Sequence, residues 1–292
     1  MTDVKVGVFS SIACRLGEGA TYDPATGTAW WFDIEGKALL EKPTDADEAT
    51  VHPLPFMASV LAVIDGDRQL MAAQDGLYVR DRRSGRLSLH RPMEAENAAT
   101  RSNDGRVHPS GALWVGTMGI DGEAGLGAIY WYRAGEMRQL YPGIGIPNSI
   151  CFSPDGCIAY FTDTKNYRLM RVDIDPDNGL PIGEPQLFFD HTSREGGIDG
   201  SVCDAEGQVW NARWGSGMLD TYAPGGTRIG SIAIGASRVT CPAFVGQSAD
   251  RLIVTSAWSG LSDAERREDP DAGKTFVLDL PVKGRHEPKV LL

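Results

Sequence analysis

Several features of common protein classes are missing from this chain. No stretch of its 292 residues holds the eighteen or more consecutive apolar residues that a membrane-spanning helix needs. Residues 1–19 mix polar and apolar side chains and lack the continuous apolar segment of a secretory leader. No membrane partner is therefore expected, and a cytoplasmic setting follows by default. Positive charge is scarce: 28 Lys and Arg stand against 39 Asp and Glu, for a net charge of −11. Nucleic-acid phosphates would be repelled by such a surface, whereas cations and small neutral substrates would not. The five cysteines are odd in number and form no CxxC pair, and they read as reduced, mostly buried thiols. The five histidines show no metal-ligand spacing, so a histidine-built zinc site is not expected. Neither GxSxG nor HExxH occurs, no glycine-rich phosphate loop opens a helix, and helical periodicity is almost absent.

What the chain has in excess is glycine, 35 residues, and with 17 prolines this implies many tight turns between short strands. It also repeats itself. Six segments open on a turn residue and run into an apolar, β-rich strand: residues 27–34 (GTAWWFDI), 67–74 (DRQLMAAQ), 111–118 (GALWVGTM), 156–163 (GCIAYFTD), 207–214 (GQVWNARW) and 250–257 (DRLIVTSA). Their starts lie 40, 44, 45, 51 and 43 residues apart. Each is followed by a second alternating run, and most by a weaker third (TVHPLP, LSLHRP, MRQLYP, PQLFFD, IGSIAI). One more apolar run precedes each turn, most clearly NSICFS and GSVCDA.

Four strands per unit and six units predict an all-β chain, a six-bladed β-propeller with four antiparallel strands per blade. Such a sheet cannot bury both faces alone and must stack on its neighbours. Residues 1–292 are expected to form this single domain. Both chain ends fall in the last blade, so the segment around Val4 to Phe9 is expected to help close it. Two segments interrupt the pattern. Residues 259–273 form a polar insertion, a solvated loop or a lid, in which Ser262 and Glu265 could cap a short helix. Residues 173–179 (DIDPDNG), with Glu184, faintly match a calcium loop, but Pro and Gly are misplaced and a turn between outer strands is expected.

The chemistry converges when the units are aligned on the residue that opens each inner hairpin: Asp23, His108, Ser153 and Asp204. Five residues earlier stand Glu18, Asn103, Asn148 and Asp199. Innermost strands of a propeller run along its channel, so equivalent positions would form an oxygen-rich ring at one mouth. Two carboxylates there repel unless a proton or a cation relieves them, and hard oxygen donors suit Ca²⁺, Mg²⁺ or Mn²⁺. The plainer alternative is that the four only hydrogen-bond to backbone and water. Arg101, two residues before the ring position, could present its fork to substrate oxygens or form a surface ion pair. Asn103 can donate and accept, which suits hydroxyls. The glycines around Asp199 in GGIDG (196–200) either let backbone approach a ligand closely or pack strands tightly.

These residues carry a resemblance. Over nearly its whole length the chain resembles the sugar lactonases of the senescence marker protein, regucalcin and gluconolactonase family. The resemblance rests on LGEGATYDP (16–24), RSNDGRVHPSGALWVGTM (101–118), IPNSICFSPDG (146–156), TDT (162–164), GIDGSVCDAEGQVW (197–210) and VTCPAF (239–244). It implies the same propeller and a metal-dependent, gluconolactonase-like hydrolysis of a sugar lactone to its aldonic acid, in carbohydrate metabolism. It implies Glu18, Asn148 and Asp199 as metal ligands, Arg101 and Asn103 as substrate contacts, and Asp199 as general base. The expected occupant is one Ca²⁺, with Zn²⁺, Mn²⁺, Mg²⁺ or Fe²⁺ as alternatives. The expected partner is a small sugar lactone, and the chain is expected to be a monomer or small homo-oligomer. Asp121, after the GTM, aligns only loosely with an acidic substrate contact of some members. Two other functions stay open: an organophosphate or aryl-ester hydrolase on the same fold, and a calcium-binding propeller without turnover.

Overall fold

The computed structural model describes residues 4–292. Inner runs such as residues 113–119 and 239–245 are buried on both faces, outer runs such as residues 228–233 alternate in exposure with the pleat, and Gly-rich turns fold consecutive runs back on one another. The result is six four-stranded antiparallel sheets, a six-bladed β-propeller. After β1 (Lys5–Ser10), the first blade comprises β2 (Gly17–Asp23), β3 (Thr28–Asp33), β4 (Ala38–Pro43) and β5 (Thr50–Pro53). The second is β6 (Ala58–Val63), β7 (Arg68–Ala73), β8 (Gly76–Asp81) and β9 (Leu87–Pro92). The third is β10 (Thr100–Val107), β11 (Leu113–Gly119), β12 (Gly127–Arg133) and β13 (Glu136–Ile144). The fourth is β14 (Pro147–Phe152), β15 (Ile158–Asp163), β16 (Arg168–Asp173) and β17 (Gln186–Asp190). The fifth is β18 (Gly197–Cys203), β19 (Val209–Trp214), β20 (Met218–Tyr222) and β21 (Arg228–Ala233). The sixth joins β22 (Val239–Val245), β23 (Arg251–Ser256) and β24 (Thr275–Asp279) to β1, in the order β1-β24-β23-β22. The N-terminal strand is thus the outer strand of the last blade.

By its contacts the chain divides into two compact units of three blades each. The described residues up to 53, with residues 193–286, form one, in which β22 packs on both β2 and β18. Its core joins Phe9, Trp31 and Leu40 to Ile253, and Trp210 and Leu219 to Phe244 and Phe276. Residues 54–192 and 287–292 form the other, in which β10 packs on both β6 and β14. There Leu70, Leu113 and Tyr132 make one core cluster, and Trp114, Trp131, Phe152 and Phe161 another.

The residues that open the inner hairpins close the turns with their side chains. Asp23 accepts from Ala25 N at 3.0 Å, Ser153 Oγ from Ile158 N at 2.9 Å, and Asp204 from Glu206 N at 2.9 Å and Gln208 N at 2.8 Å. His108 is buried, with Nε2 2.9 Å from Gly156 O. The 259–273 insertion contains α1 (Asp263–Glu268), capped by the Ser262–Glu265 pair. It is tied down, because Asp269 accepts from Ser237 N at 2.8 Å and Arg238 donates to Gly260 O at 3.3 Å. Residues 173–184 form a turn between β16 and β17, where Asp175 accepts from Asp177 N and Asn178 Nδ2. The five cysteines are free and four of them are buried. Burial pushes the Cys14 thiol up to about 12, so it stays protonated and inert.

Candidate functional site

Every innermost strand carries a break in its pairing. The register shifts between Glu18 and Thr21, Ala58 and Val60, Ser102 and Gly105, Asn148 and Cys151, Ile198 and Ser201, and Val239 and Pro242. A bulge lets a strand re-aim a side chain that regular pleating would turn to a sheet face. Glu18 and Asn148 stand at the leading edge of such a break, and Asn103 and Asp199 lie inside one. All four are buried, with 5–6% of their surface exposed. Gly19 and Ser149, the residues after Glu18 and Asn148, both have φ of +59°. Glycine takes that conformation freely, whereas Ser149 holds it at a cost that its fully buried surroundings must offset.

In the unit of the second, third and fourth blades, three predicted residues meet. Arg101 Nη1 donates to Asn103 Oδ1 at 2.8 Å and to Ser102 O at 2.9 Å. Asn103 Nδ2 donates to Pro147 O and to Asn148 Oδ1, each at 2.9 Å. Asn148 Nδ2 donates to Thr164 Oγ1 at 3.0 Å, which fixes the amide with its oxygen on the Asn103 side. Both N–H groups of Asn103 are thereby engaged, so it can offer a ligand only its oxygen. Arg101 is buried, not a surface ion-pairing residue, and one of its amino groups steadies Asn103.

Asp104 joins the two strands. Its carboxylate accepts from Gly105 N at 2.8 Å in β10 and from Ile150 N at 2.7 Å in β14. Burial pushes this carboxyl up to about 6, against the opposing pull of the Arg106 charge and of those two amides.

In the other unit, Glu18 Oε2 accepts from its neighbour Gly19 N at 3.1 Å. Asn211 of β19 braces the break in β18, donating to Asp199 O at 2.9 Å and Ser201 Oγ at 3.0 Å. A Cβ on Gly200 would lie 2.8 Å from Thr240 O, so this glycine serves close packing of β18 on β22. Asp121 lies exposed in the turn after β11.

Sequence reasoning missed the groups that hold the entry to three of these strands, β2, β14 and β18. Asp33 ends β3 and accepts from Arg15 N at 2.8 Å and Leu16 N at 3.0 Å, just ahead of Glu18. Asp163 ends β15 and accepts from Gly145 N and Ile146 N, both at 3.0 Å, just ahead of Asn148. Arg213, near the end of β19, donates to Glu195 O at 2.9 Å and Gly196 O at 2.7 Å, just ahead of Asp199. The signal was present: all three lie near the end of the second strand of a repeat.

Residues 16–258 match the family described as the SMP-30/Gluconolactonase/LRE-like region, well over half of the chain. The chain belongs to this family. A protein of Rhizobium meliloti (strain 1021) named "Putative sugar lactone lactonase" is 54% identical over 280 residues, covering 96% of this chain and 95% of that one. The L-arabinolactonase of Azospirillum brasilense is 36% identical over 274 residues, covering 92% and 90%. Among solved structures, a calcium-binding protein, regucalcin, from Agrobacterium tumefaciens str. C58 superposes with a TM-score of 0.96. It is 51% identical, covering 98% of this chain and 97% of that one. Membership in the family accounts for the propeller and for the order of the motifs along the chain.

A cluster of three or more His, Cys, Asp or Glu residues arranged to hold a metal does not occur among the described residues. The candidate donor set is of another kind: two carboxylates, Glu18 and Asp199, and the amide oxygen of Asn148. These are hard oxygens, one of them pre-oriented by Thr164, and they fit Ca²⁺, Mg²⁺ or Mn²⁺ better than a thiophilic ion.

Proposed function

We propose that the chain hydrolyses a sugar lactone to its aldonic acid, using one divalent metal ion, Ca²⁺ first, held by Glu18, Asn148 and Asp199. The observation that carries this reading is the placement of these oxygens at equivalent breaks in innermost strands of a family member. The lactonase names of relatives at 54% and 36% identity support the substrate class, and the calcium-binding relative at 51% supports the ion.

When bound, such an ion supplies a Lewis acid for the lactone carbonyl and a counter-charge for the oxygen that becomes negative as water adds. The remaining work falls to side chains. The Asp199 carboxylate takes the proton of the attacking water, and the proton passes to the ring oxygen as the ester C–O bond breaks. Asn103, with both its N–H groups engaged, accepts a hydrogen bond from a sugar hydroxyl through Oδ1. Arg101 donates to substrate oxygens while keeping Asn103 in place. Lactones hydrolyse fairly readily in water, so positioning and one counter-charge suffice. The reading places the chain in sugar metabolism in the cytoplasm.

The test is acid release from a panel of aldonolactones, with and without a chelator. Turnover of at least one that stops with chelation and returns with Ca²⁺ is expected. Calcium binding with no turnover of any lactone would leave a binding propeller instead.

A further inference from the structure

The loop before β18 and residues of β19, β20 and β21 line a pocket of about 430 Å³ in the fifth blade. Arg194, Arg213 and Arg228 line it, with Glu195, Ser216 and Asp220. Two of these guanidinium groups, those of Arg213 and Arg228, share a single carboxylate, that of Asp220, in a chain whose net charge is −11.

The arginines are not evenly compensated. Asp220 is shared: Arg228 Nη2 stands 2.7 Å from its carboxylate and Arg213 Nε 3.8 Å, while Ser231 and Tyr222 also donate to it. Arg213 is only 1% exposed, and its Nη1 is buried without a hydrogen-bond partner. Arg228 Nε is in the same condition. Burial holds the Arg213 guanidinium below its ordinary pKa, and the charges of Arg228 and Arg194 add to this against the pull of Tyr222 and Asp220. An anion in the pocket would add to the one carboxylate that Arg213 and Arg228 share, and arginine forks match the planar spread of oxyanion oxygens.

We propose that this pocket binds an oxyanion, with Arg194 and Arg228 as its direct contacts and Arg213 as the charge beneath them. The anion is a phosphate or a group of like chemistry, either free or carried as a substituent on the lactone.

Calorimetric titration of the chain with inorganic phosphate, at constant ionic strength and against chloride, tests this without turnover. Failure here therefore leaves the lactonase reading intact. Saturable one-site binding is expected. It should weaken tenfold or more in Arg194→Gln, which removes a charge-assisted donor, and further in the Arg194→Gln/Arg228→Gln pair. Glu195→Gln removes a carboxylate from the lining and should tighten binding several-fold. Arg194 and Glu195 are exposed, so their variants are expected to fold even if the pair does not. A second arm uses an aldonolactone with a terminal phosphate, and its neutral counterpart, as competitors. Competition by the phosphorylated lactone below the concentration at which phosphate binds identifies the substituent as the source. Competition no better than phosphate identifies a free anion. Absence of saturable phosphate binding, or unchanged affinity in Arg194→Gln, overturns the proposal.

Discussion

Arg101 and Asn103 were recognisable as residue types suited to a sugar, but their hydrogen bonds change what each can do. Arg101 holds Asn103 through one amino group, and Asn103 in turn holds Asn148. On the proposed function, Arg101→Ala removes a donor to substrate, and it loosens the Asn103 amide that Arg101 holds. A loss of about ten- to hundredfold in kcat/KM is expected with polyhydroxylated lactones, from roughly 1.5–3 kcal/mol. The loss should be much smaller with unsubstituted butyrolactone, which has no hydroxyl to orient, and steady-state kinetics on both substrates decide it. An equal loss on both would assign Arg101 to the reacting centre.

Asp104 makes a prediction in pH. Its folded-state pKa, about 6, lies above the ordinary 3.8, so in the fold the proton is held more tightly than in the unfolded chain. The stability this contributes is complete below pH 4 and is lost as pH rises through about 6. Relative to Asp104→Asn, the wild type should lose about 2 kcal/mol between pH 4 and pH 7, most of the roughly 3 kcal/mol that about two pKa units represent at 1.36 kcal/mol each. Denaturant unfolding of both proteins across that range measures the difference, and parallel pH curves would show that Asp104 does not carry the effect.

At the scale of the strand, the repeat was readable because turn residues and the twofold alternation of strands recur every 40 to 51 residues. All six predicted turn-to-strand segments are second strands of blades. The breaks in the innermost strands were not readable. Gly19 could hint at one, but Ser149 takes the same backbone angle with no mark in the sequence, because buried packing and not local propensity imposes it. The entry-holding carboxylates were hidden for a similar reason: Asp33 and Asp163 look like ordinary hairpin aspartates until their partners are known.

Asp163→Ala should therefore cost about 1–3 kcal/mol in stability and also weaken metal binding, since the entry to the strand bearing Asn148 is freed. Asp155→Ala is the control. Asp155 sits at the opposite end of the same hairpin, accepts from Cys157 N at 3.0 Å and Ser153 Oγ at 2.5 Å, and should lose stability alone. Paired unfolding and metal titrations on both variants separate a local role at the site from a general one in the blade.

At the scale of the whole molecule, pairing of β1 with β24 returns the N-terminus to the sheet built by the last strands, as the position of both ends in one repeat suggested. The C-terminal residues escaped a period-based reading because they form no strand. They are held instead by scattered backbone bonds, among them Ala205 N to Lys283 O and Gly284 N to Ala249 O in one unit and Val290 N to Val63 O and Leu291 N to Gly111 O in the other, and by ion pairs such as Arg106–Glu287. The acidic balance of the chain favours a cation and a neutral sugar over a polyanion, and the arginine-lined pocket of the fifth blade is a local exception to it.

The central claim joins a metal to turnover through one side chain, and Asp199→Ala tests both together. The variant and the wild type are titrated with Ca²⁺ by calorimetry and assayed in parallel on the best aldonolactone of the panel. Calcium affinity and lactone hydrolysis should fall together in Asp199→Ala, with hydrolysis reaching the uncatalysed background. Near-normal hydrolysis in that variant, or undiminished calcium affinity, would contradict the account.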